Sequence, residues 1–193
     1  MATASFLLAG SALAQSPQQW QLRGVNARLD RPLDAQSAHV GQAVEVRLDR
    51  TVKTAEGATL PRGTQVWGKI EKVQTSQDGS PSMMSLRFTT AELKNGQKVP
   101  VKVTVIGAFP ANSASNDMNM GGDLPPAPRH INPLDKYTQE PGMLGHVELT
   151  SAVQGHNSGT FTDQKGNIKL NQGTYLQLAI SPVNNGMQQR SGA

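Results

Sequence analysis

The side chains best suited to chemistry in this 193-residue chain are methionines and histidines. Met118 and Met120 flank a single residue, and His130 follows in the same polar segment, with Met143 and His146 beyond it. Thioether sulfur and imidazole nitrogen are soft ligands that suit Cu(I) or Ag(I). Met118, Met120 and His130 therefore predict a soft-metal site. The alternative is that the two methionines bury their flexible side chains and hold the segment against the domain.

Motifs of catalysis and nucleotide binding are missing from the sequence. The four histidines form no His-Glu-x-x-His motif and stand apart, as single surface histidines do. The segment 155–159 has serine in its fourth place, whereas a nucleophile elbow has it in the third. No glycine-rich loop is followed by lysine and then serine or threonine. We therefore predict that the chain is not an enzyme and uses no cofactor.

Alternating apolar and polar residues indicate the elements that must position these side chains. The alternation has a period of two within residues 25–29, 44–48, 99–105 and 176–180, which is typical of half-buried strands. Turn signals rich in glycine, proline and asparagine separate these stretches. About eight short strands with almost no helix predict an all-β fold, either a single antiparallel β-barrel or a barrel-like sandwich.

Three local features predict details of this fold. Gly68 falls on the inner face of a strand over residues 65–73, where another backbone or a bulky side chain can approach it closely. Val73 is out of phase with Ile70, which predicts a β-bulge near Lys72. Residues 95–96, Asn-Gly, predict a tight hairpin in which both residues have positive φ.

The chain divides into segments of different composition. Residues 1–14 resemble a signal peptide, with a short apolar run that ends in Ala-Leu-Ala. A basic start is missing, so either Met1 is an internal start or the leader is truncated; the alternative is a flexible apolar tail. Residues 15–23 form a polar linker. We expect the barrel domain to span residues 24–182, interrupted by an irregular, proline-rich insertion at 107–142. Residues 183–193 form a flexible tail.

Charge and composition narrow the possible partners and locations. The net charge is +4, but the basic residues stand singly and few aromatic residues accompany them, so nucleic-acid binding is not expected. No apolar run outside residues 1–14 approaches the roughly 20 residues that span a bilayer. The mature chain should therefore lack a transmembrane segment. The leader and the absence of cysteine favour a periplasmic or secreted protein.

The order of several strand and turn motifs resembles a known family. The motifs are residues 25–33, 44–46, 60–64, 66–68, 86–88, 95–96 and 168–174. They resemble the β-barrel of TrbI-type proteins, the scaffold component of type IV secretion and conjugation cores, and stand-alone exported proteins of soil bacteria that share this barrel. Those scaffolds carry a membrane helix, a stalk and an apolar helical insertion. Here the insertion is polar, so a role in a secretion pore is not expected.

Together these features predict a non-enzymatic, exported scaffold or protein-interaction module of the cell envelope. It would bind an envelope protein or a second copy of itself, by pairing at an exposed strand edge or by surface docking, with the insertion as contact arm. The candidate contact residues are Trp67, Met118, Met120 and Leu124. Trp67 could equally pack beneath the arm. The alternative function is a periplasmic barrel that binds a small ligand or a soft metal.

Overall fold

The computed structural model describes residues 22–53, 59–77, 79–111, 125–128 and 131–183. Every regular element of these residues is a β-strand, and none of them forms an α-helix. The strands are β1 (Arg23–Leu29), β2 (Leu33–Asp34), β3 (Ala43–Leu48), β4 (Val52–Lys53), β5 (Thr59–Leu60), β6 (Gln65–Gln74), β7 (Ser82–Glu92), β8 (Lys98–Phe109), β9 (Lys136–Leu144), β10 (Val147–Ala152), β11 (Gly159–Asp163), β12 (Lys169–Leu170) and β13 (Tyr175–Pro182).

Six of these strands close an antiparallel barrel, so the predicted fold class is confirmed. They follow the order β6-β3-β1-β13-β8-β7, and β7 pairs back with β6 to complete the ring. The alternating apolar residues of the ring strands point inward and form one continuous core. Val25, Val46, Leu86, Val103 and Leu178 are among its members, each with at most 1% of its surface exposed.

Three further strands lie outside the ring and cover part of it. The first half of β7 pairs with β11, which pairs with β10, and β10 pairs with β9. A second apolar cluster, Leu22, Ile131, Val153 and Ala179, with Tyr137 of β9 packed against it, lies on the outer side of β13. Because both sides of β13 are covered, all eight of its residues are buried.

Side chains of these outer strands, and the Ser158 carbonyl just before β11, satisfy backbone groups of β8. The Gln139 side chain donates to the Ala108 carbonyl and accepts from the Ala108 N–H, both at 2.7 Å. The Ser151 hydroxyl donates to the Val105 carbonyl at 2.6 Å, and the Val105 N–H donates to the Ser158 carbonyl at 2.6 Å. Buried backbone groups need such partners, so β8 requires these strands beside it.

The segment 107–142 differs from the irregular insertion that its composition suggests. β8 continues to Phe109 and β9 begins at Lys136, so both ends of the segment are strands. The Gln139 side chain explains why these ends are ordered as strands. Its amide joins β9 to Ala108 of β8 and takes the place of apolar contacts, for which the segment has few residues. Residues 112–124 and 129–130 lie outside the described part of the chain.

The local predictions for β6 are confirmed, whereas the predicted hairpin turn differs in detail. The register between β6 and β7 shifts between Ile70 and Lys72, as a bulge requires. A Cβ atom on Gly68 would overlap the Arg87 carbonyl and lie 2.7 Å from the Phe88 ring. The hairpin between β7 and β8 forms, but its tight turn spans the four residues from Leu93 to Gly96 and is not centred on Asn95 and Gly96. Gly96 is the last residue of this turn and has a φ of 80°.

An internal repeat relates two parts of the barrel wall. The sequence Arg-Leu-Asp-Arg occurs at residues 28–31 and again at 47–50, and Leu-x-x-Gly-Thr occurs at 60–64 and again at 170–174. In both copies a long strand is followed by a short one: β1 precedes β2, and β3 precedes β4. The short strands pair in the same way, β2 with β12 and β4 with β5.

The hydrogen bonds of the two copies match. The Leu29 N–H donates to the Thr174 carbonyl at 2.8 Å, and the Leu48 N–H donates to the Thr64 carbonyl at 3.0 Å. The N–H groups of the two turn glycines, Gly173 and Gly63, donate back to the carbonyls of Leu29 and Leu48, both at 2.8 Å. β1 and β3 are antiparallel with Arg28 opposite Arg47. The copies are therefore related by a local pseudo-two-fold axis through this arginine pair.

Candidate functional site

The two copies of the repeat enclose a cleft of about 530 Å³ on the outer face of β1 and β3, which we call the arginine cleft. Residues 28–30 and 47–49, the Arg-Leu-Asp triplets, form its base. The turn residues 62–63 and 172–173 form its two sides. Both turn glycines have a φ above 80°, a backbone conformation that favours glycine, so the turn shape depends on them.

Two arginines that face each other across the strands dominate the cleft. Arg28 and Arg47 are direct cross-strand partners, an arrangement in which like charges repel. The Arg47 guanidinium lies 2.7 Å from the Asp30 carboxylate and 3.5 Å from Glu45. Its hydrogen bond to Asp30 raises the pKa of Arg47 above its ordinary value. The Arg28 guanidinium instead lies over the ring of Tyr175, 5.3 Å from its centroid.

The carboxylates break the two-fold symmetry. Asp30 forms an ion pair with Arg47, whereas its counterpart Asp49 forms no ion pair with a described residue. The Oδ1 atom of Asp49 is buried and has no hydrogen-bond partner among the described residues. Burial raises the pKa of Asp49, while the charges of Arg50 and Arg62 partly oppose this effect. Of the two symmetry-related pairings between the copies, Arg47 with Asp30 is therefore formed, whereas Arg28 with Asp49 is not formed.

Trp67, a predicted contact residue, lies half-buried in a second groove beside the cleft. This groove has a volume of about 410 Å³ and is also lined by Pro32, Leu33 and Glu45. Trp67 is opposite Glu45 on β3 and Thr90 on β7. Its indole Nε1 is buried without a hydrogen-bond partner among the described residues. The indole is therefore packed against the barrel wall instead of extending into solvent.

The other predicted site residues lie outside the described residues. They are Met118, Met120, Leu124 and His130, so the soft-metal site and the contact arm stay predictions. Nearby in sequence, Met143 and His146 are exposed around the turn between β9 and β10. No group of three or more histidine, aspartate or glutamate side chains within the described ranges is arranged to hold a metal ion.

The outer edge of β9 is unpaired within the described residues. β9 ends the nine-stranded sheet, with β10 on its inner side only. The Val153 N–H donates to the Asp135 carbonyl at 3.1 Å, so the backbone groups of Asp135 face β10. Backbone groups alternate in direction along a strand, so those of Tyr137 and Gln139 face β10 as well. The N–H and C=O groups of Lys136, Thr138 and Glu140 therefore point away from β10. This row of backbone groups can accept a further strand.

Sequence reasoning missed both the arginine cleft and the β9 edge. The repeated Arg-Leu-Asp-Arg and Leu-x-x-Gly-Thr motifs were a readable signal for the cleft. Their significance depends on the pairing of β1 with β3, which no short-range pattern predicts. The β9 strand carries Pro141 and Gly142 and has no regular apolar alternation, so its sequence gives no strand signal.

The comparisons with known proteins give a coarse similarity to solved structures. No protein-family profile matches the chain, and no curated protein matches it. Among solved structures, the chain is similar to ComB10 of the Com type IV secretion system of Helicobacter pylori. The two share 9% sequence identity over 83% of this chain and 85% of ComB10, with a TM-score of 0.38. The resemblance to TrbI-type proteins therefore stays a prediction from the sequence motifs.

The described residues contain no helix that is long and apolar enough to cross a membrane.

Proposed function

We propose that this chain is a non-enzymatic, exported scaffold or interaction module of the cell envelope that binds partners by strand addition at β9. The observation that carries the proposal is the edge formed by Lys136, Thr138 and Glu140, which no described strand pairs with. An added strand would gain backbone hydrogen bonds along this edge and contacts with the alternate side chains. The motif resemblance to TrbI-type barrels, which are assembly scaffolds, favours the same class of function.

The side chains around β9 support an interaction surface there. Among the described residues, three large apolar side chains are strongly exposed. Two of them are near the ends of β9: Leu134 precedes the strand and Met143 is its second-last residue. They are 73% and 49% exposed, respectively. The pairing of β9 with β10 becomes irregular beyond Gln139, so the regular part of the edge is limited to residues 136–140. An extended partner segment of about five residues would match this length.

The insertion adds the contact arm to the same proposal. Met118, Met120 and Leu124 precede β9 in the chain, and their apolar side chains would extend the surface around Leu134 and Met143. Trp67 is packed in its own groove, so it would shape the surface that a partner contacts and would offer little exposed area of its own. Export rests on residues 1–14, whose composition resembles a leader. Mass spectrometry of the protein recovered from the periplasm or the medium would show whether this segment is removed.

The decisive experiment changes the β9 edge without changing the barrel. In Thr138→Pro, an outward-pointing N–H is replaced by a ring that blocks the approach of another strand, whereas pairing with β10 is kept. Thr138→Ala is the matched control, because it shortens the same side chain and keeps the N–H. The mass of the full chain is measured by size-exclusion chromatography with light scattering, and thermal unfolding reports the fold of each variant.

We expect the wild type and Thr138→Ala to self-associate and Thr138→Pro to stay monomeric with an intact fold. Hydrogen exchange then locates the contact, since the Lys136, Thr138 and Glu140 amides should gain protection as protein concentration rises. A monomer whose three amides exchange rapidly at every concentration would exclude pairing between copies. Association that survives in Thr138→Pro would exclude β9 as the contact.

A further inference from the structure

We propose that the arginine cleft is a binding site for a small oxyanion, the phosphate or carboxylate group of a ligand, held between Arg28 and Arg62. This site is separate from the β9 edge and would operate whether or not β9 binds a partner. Of its three arginines, Arg47 forms ion pairs with Asp30 and Glu45. The guanidinium groups of Arg28 and Arg62 form no ion pair with a described residue, so they are the groups that can bind an anion.

Arg28 is the first of the two anion-binding side chains. Arg28 faces the like-charged Arg47. Asp30 forms its ion pair with Arg47 and not with Arg28. Stacking on Tyr175 occupies one face of the Arg28 guanidinium and leaves its in-plane N–H groups available for hydrogen bonds. A Cβ atom at position 173 would lie 3.4 Å from Arg28 Nη2, so Gly173 provides the space for this guanidinium.

Arg62 is the second, and it is held in a fixed turn. Its backbone N–H donates to the Thr51 hydroxyl at 3.1 Å, and the turn is closed by the Thr64 N–H donating to the Pro61 carbonyl at 3.1 Å. The Arg62 side chain forms no ion pair with a described residue. The equivalent position in the other copy of the repeat is Gln172, so the cleft has a charged side and a neutral side.

The chemistry of these groups defines the class of ligand. A planar guanidinium matches the geometry of carboxylate and phosphate oxygens and can donate two parallel hydrogen bonds to them. A cleft of about 530 Å³ is large enough for an oxyanion together with the small molecule that carries it. An anion bound to Arg28 would also weaken the repulsion between Arg28 and its cross-strand partner Arg47.

The internal repeat supplies the variants that test the site. Arg62→Gln gives the charged turn the residue that its counterpart already has at position 172, so the fold should tolerate it. Gln172→Arg makes the opposite change and adds a second charged side. Arg31→Gln is the matched control, because it removes the same charge from an exposed residue of the first Arg-Leu-Asp-Arg copy outside the cleft. Each full-length variant is titrated with inorganic phosphate and, separately, with acetate.

Binding is followed by chemical shifts of the arginine side-chain N–H groups, with sodium chloride added to equal ionic strength as the reference. We expect Arg62→Gln to weaken phosphate or acetate binding by about tenfold or more, as the loss of a charge-assisted hydrogen bond predicts. Gln172→Arg should strengthen it, and Arg31→Gln should leave it unchanged. Tighter binding of phosphate than acetate would identify a phosphoryl ligand, and the reverse a carboxylate.

Two results would overturn the proposal. If neither anion shifts the Arg28 and Arg62 signals beyond the sodium chloride reference, the cleft is not an anion site. If Arg31→Gln weakens binding as much as Arg62→Gln, the response reflects overall surface charge. Since Gln172→Arg tests for a gain of affinity, a folding defect in Arg62→Gln would not remove the test.

Discussion

Arg28 and Arg47 lie directly opposite each other on β1 and β3, yet of the two only Arg47 forms ion pairs with described residues, at 2.7 Å with Asp30 and 3.5 Å with Glu45. The pseudo-two-fold repeat would allow a second pair between Arg28 and Asp49, but among the described residues this pair is not formed. Arg28 stacks on Tyr175 instead. The two symmetry-related pairings across the repeat therefore differ in their electrostatics, so a nearly symmetric framework carries an asymmetric site.

Removing the Asp30 carboxylate should expose the repulsion between the two arginines. We expect Asp30→Asn to lower the free energy of unfolding by about 1 kcal/mol at low salt, and by less at high salt, because the pair is partly exposed and screened. Urea unfolding at two salt concentrations measures this. Glu71→Gln is the control, since it breaks a comparable exposed pair with Arg87. An equal effect of both substitutions would mean that the Arg28–Arg47 contact is energetically neutral.

Asp49 should make stability depend on pH in a specific direction. Burial raises the pKa of Asp49 above its ordinary value of 3.8. The folded state therefore holds the proton more tightly than the unfolded state, and this group's contribution to stability is lost as pH rises from about 3.8 through the folded-state pKa. Asn does not titrate, so the stability of Asp49→Asn relative to wild type should rise with pH across this range and then level off.

Urea unfolding of Asp49→Asn and wild type in parallel from acid to neutral pH measures this difference. Contributions from all other carboxylates are shared by the two proteins and cancel to first order. A difference that is constant with pH would show that Asp49 has the same proton affinity in both states. A difference that falls with pH would show that Arg50 and Arg62 stabilise the carboxylate more than burial destabilises it.

Gly68 should tolerate no larger side chain. A Cβ atom there would overlap the Arg87 carbonyl and the Phe88 ring, and the backbone of paired strands cannot move away easily. We expect Gly68→Ala to lower the free energy of unfolding by about 2–3 kcal/mol, as overpacking does. Gly166→Ala is the matched control, since its nearest contact would be a side-chain oxygen at 4.0 Å. Urea unfolding that ranks the two substitutions equally would contradict the close contact.

The barrel was predictable because the patterns that indicate its strands and turns lie within short stretches of sequence. Strands such as β7 and β13 have apolar residues with the correct period, and the phase change between Ile70 and Val73 was enough to predict the bulge in β6. Gly68 could be understood in the same way, because a glycine on an inward position implies a close approach. Each of these features depends on residues that are near each other in sequence.

The candidate sites were not predictable, because their residues are brought together only by the register in which distant strands pair. Arg28 meets Arg47 and Tyr175 only after β1 has paired with β3 on one side and β13 on the other. The Gln139 amide joins β9 to Ala108 of β8 in the place of an apolar side chain. The sequence of β9 therefore shows no alternation of apolar and polar residues. In the sequence alone, single charges and a proline-containing segment are typical of a surface, because the contacts that define them are distant in sequence.

The predicted soft-metal site can be separated from its structural alternative by one pair of substitutions. Met118→Leu/Met120→Leu removes both thioethers but keeps side chains of similar size and polarity, so an apolar contact with the barrel would be largely preserved. If the methionines bind Ag(I), the wild type should show a higher melting temperature in the presence of Ag(I), and the double variant should not. Met143→Leu, which removes an exposed thioether of β9, is the control.

The melting temperature without metal gives the second half of this test. If the two methionines only hold the segment against the barrel, Ag(I) should leave the melting temperature of the wild type unchanged, and the leucine variant should melt close to the wild type. A loss of the Ag(I) effect in His130→Ala would add the imidazole to the ligand set. An Ag(I) effect that persists in the double variant but disappears in Met143→Leu would move the site to the exposed turn between β9 and β10.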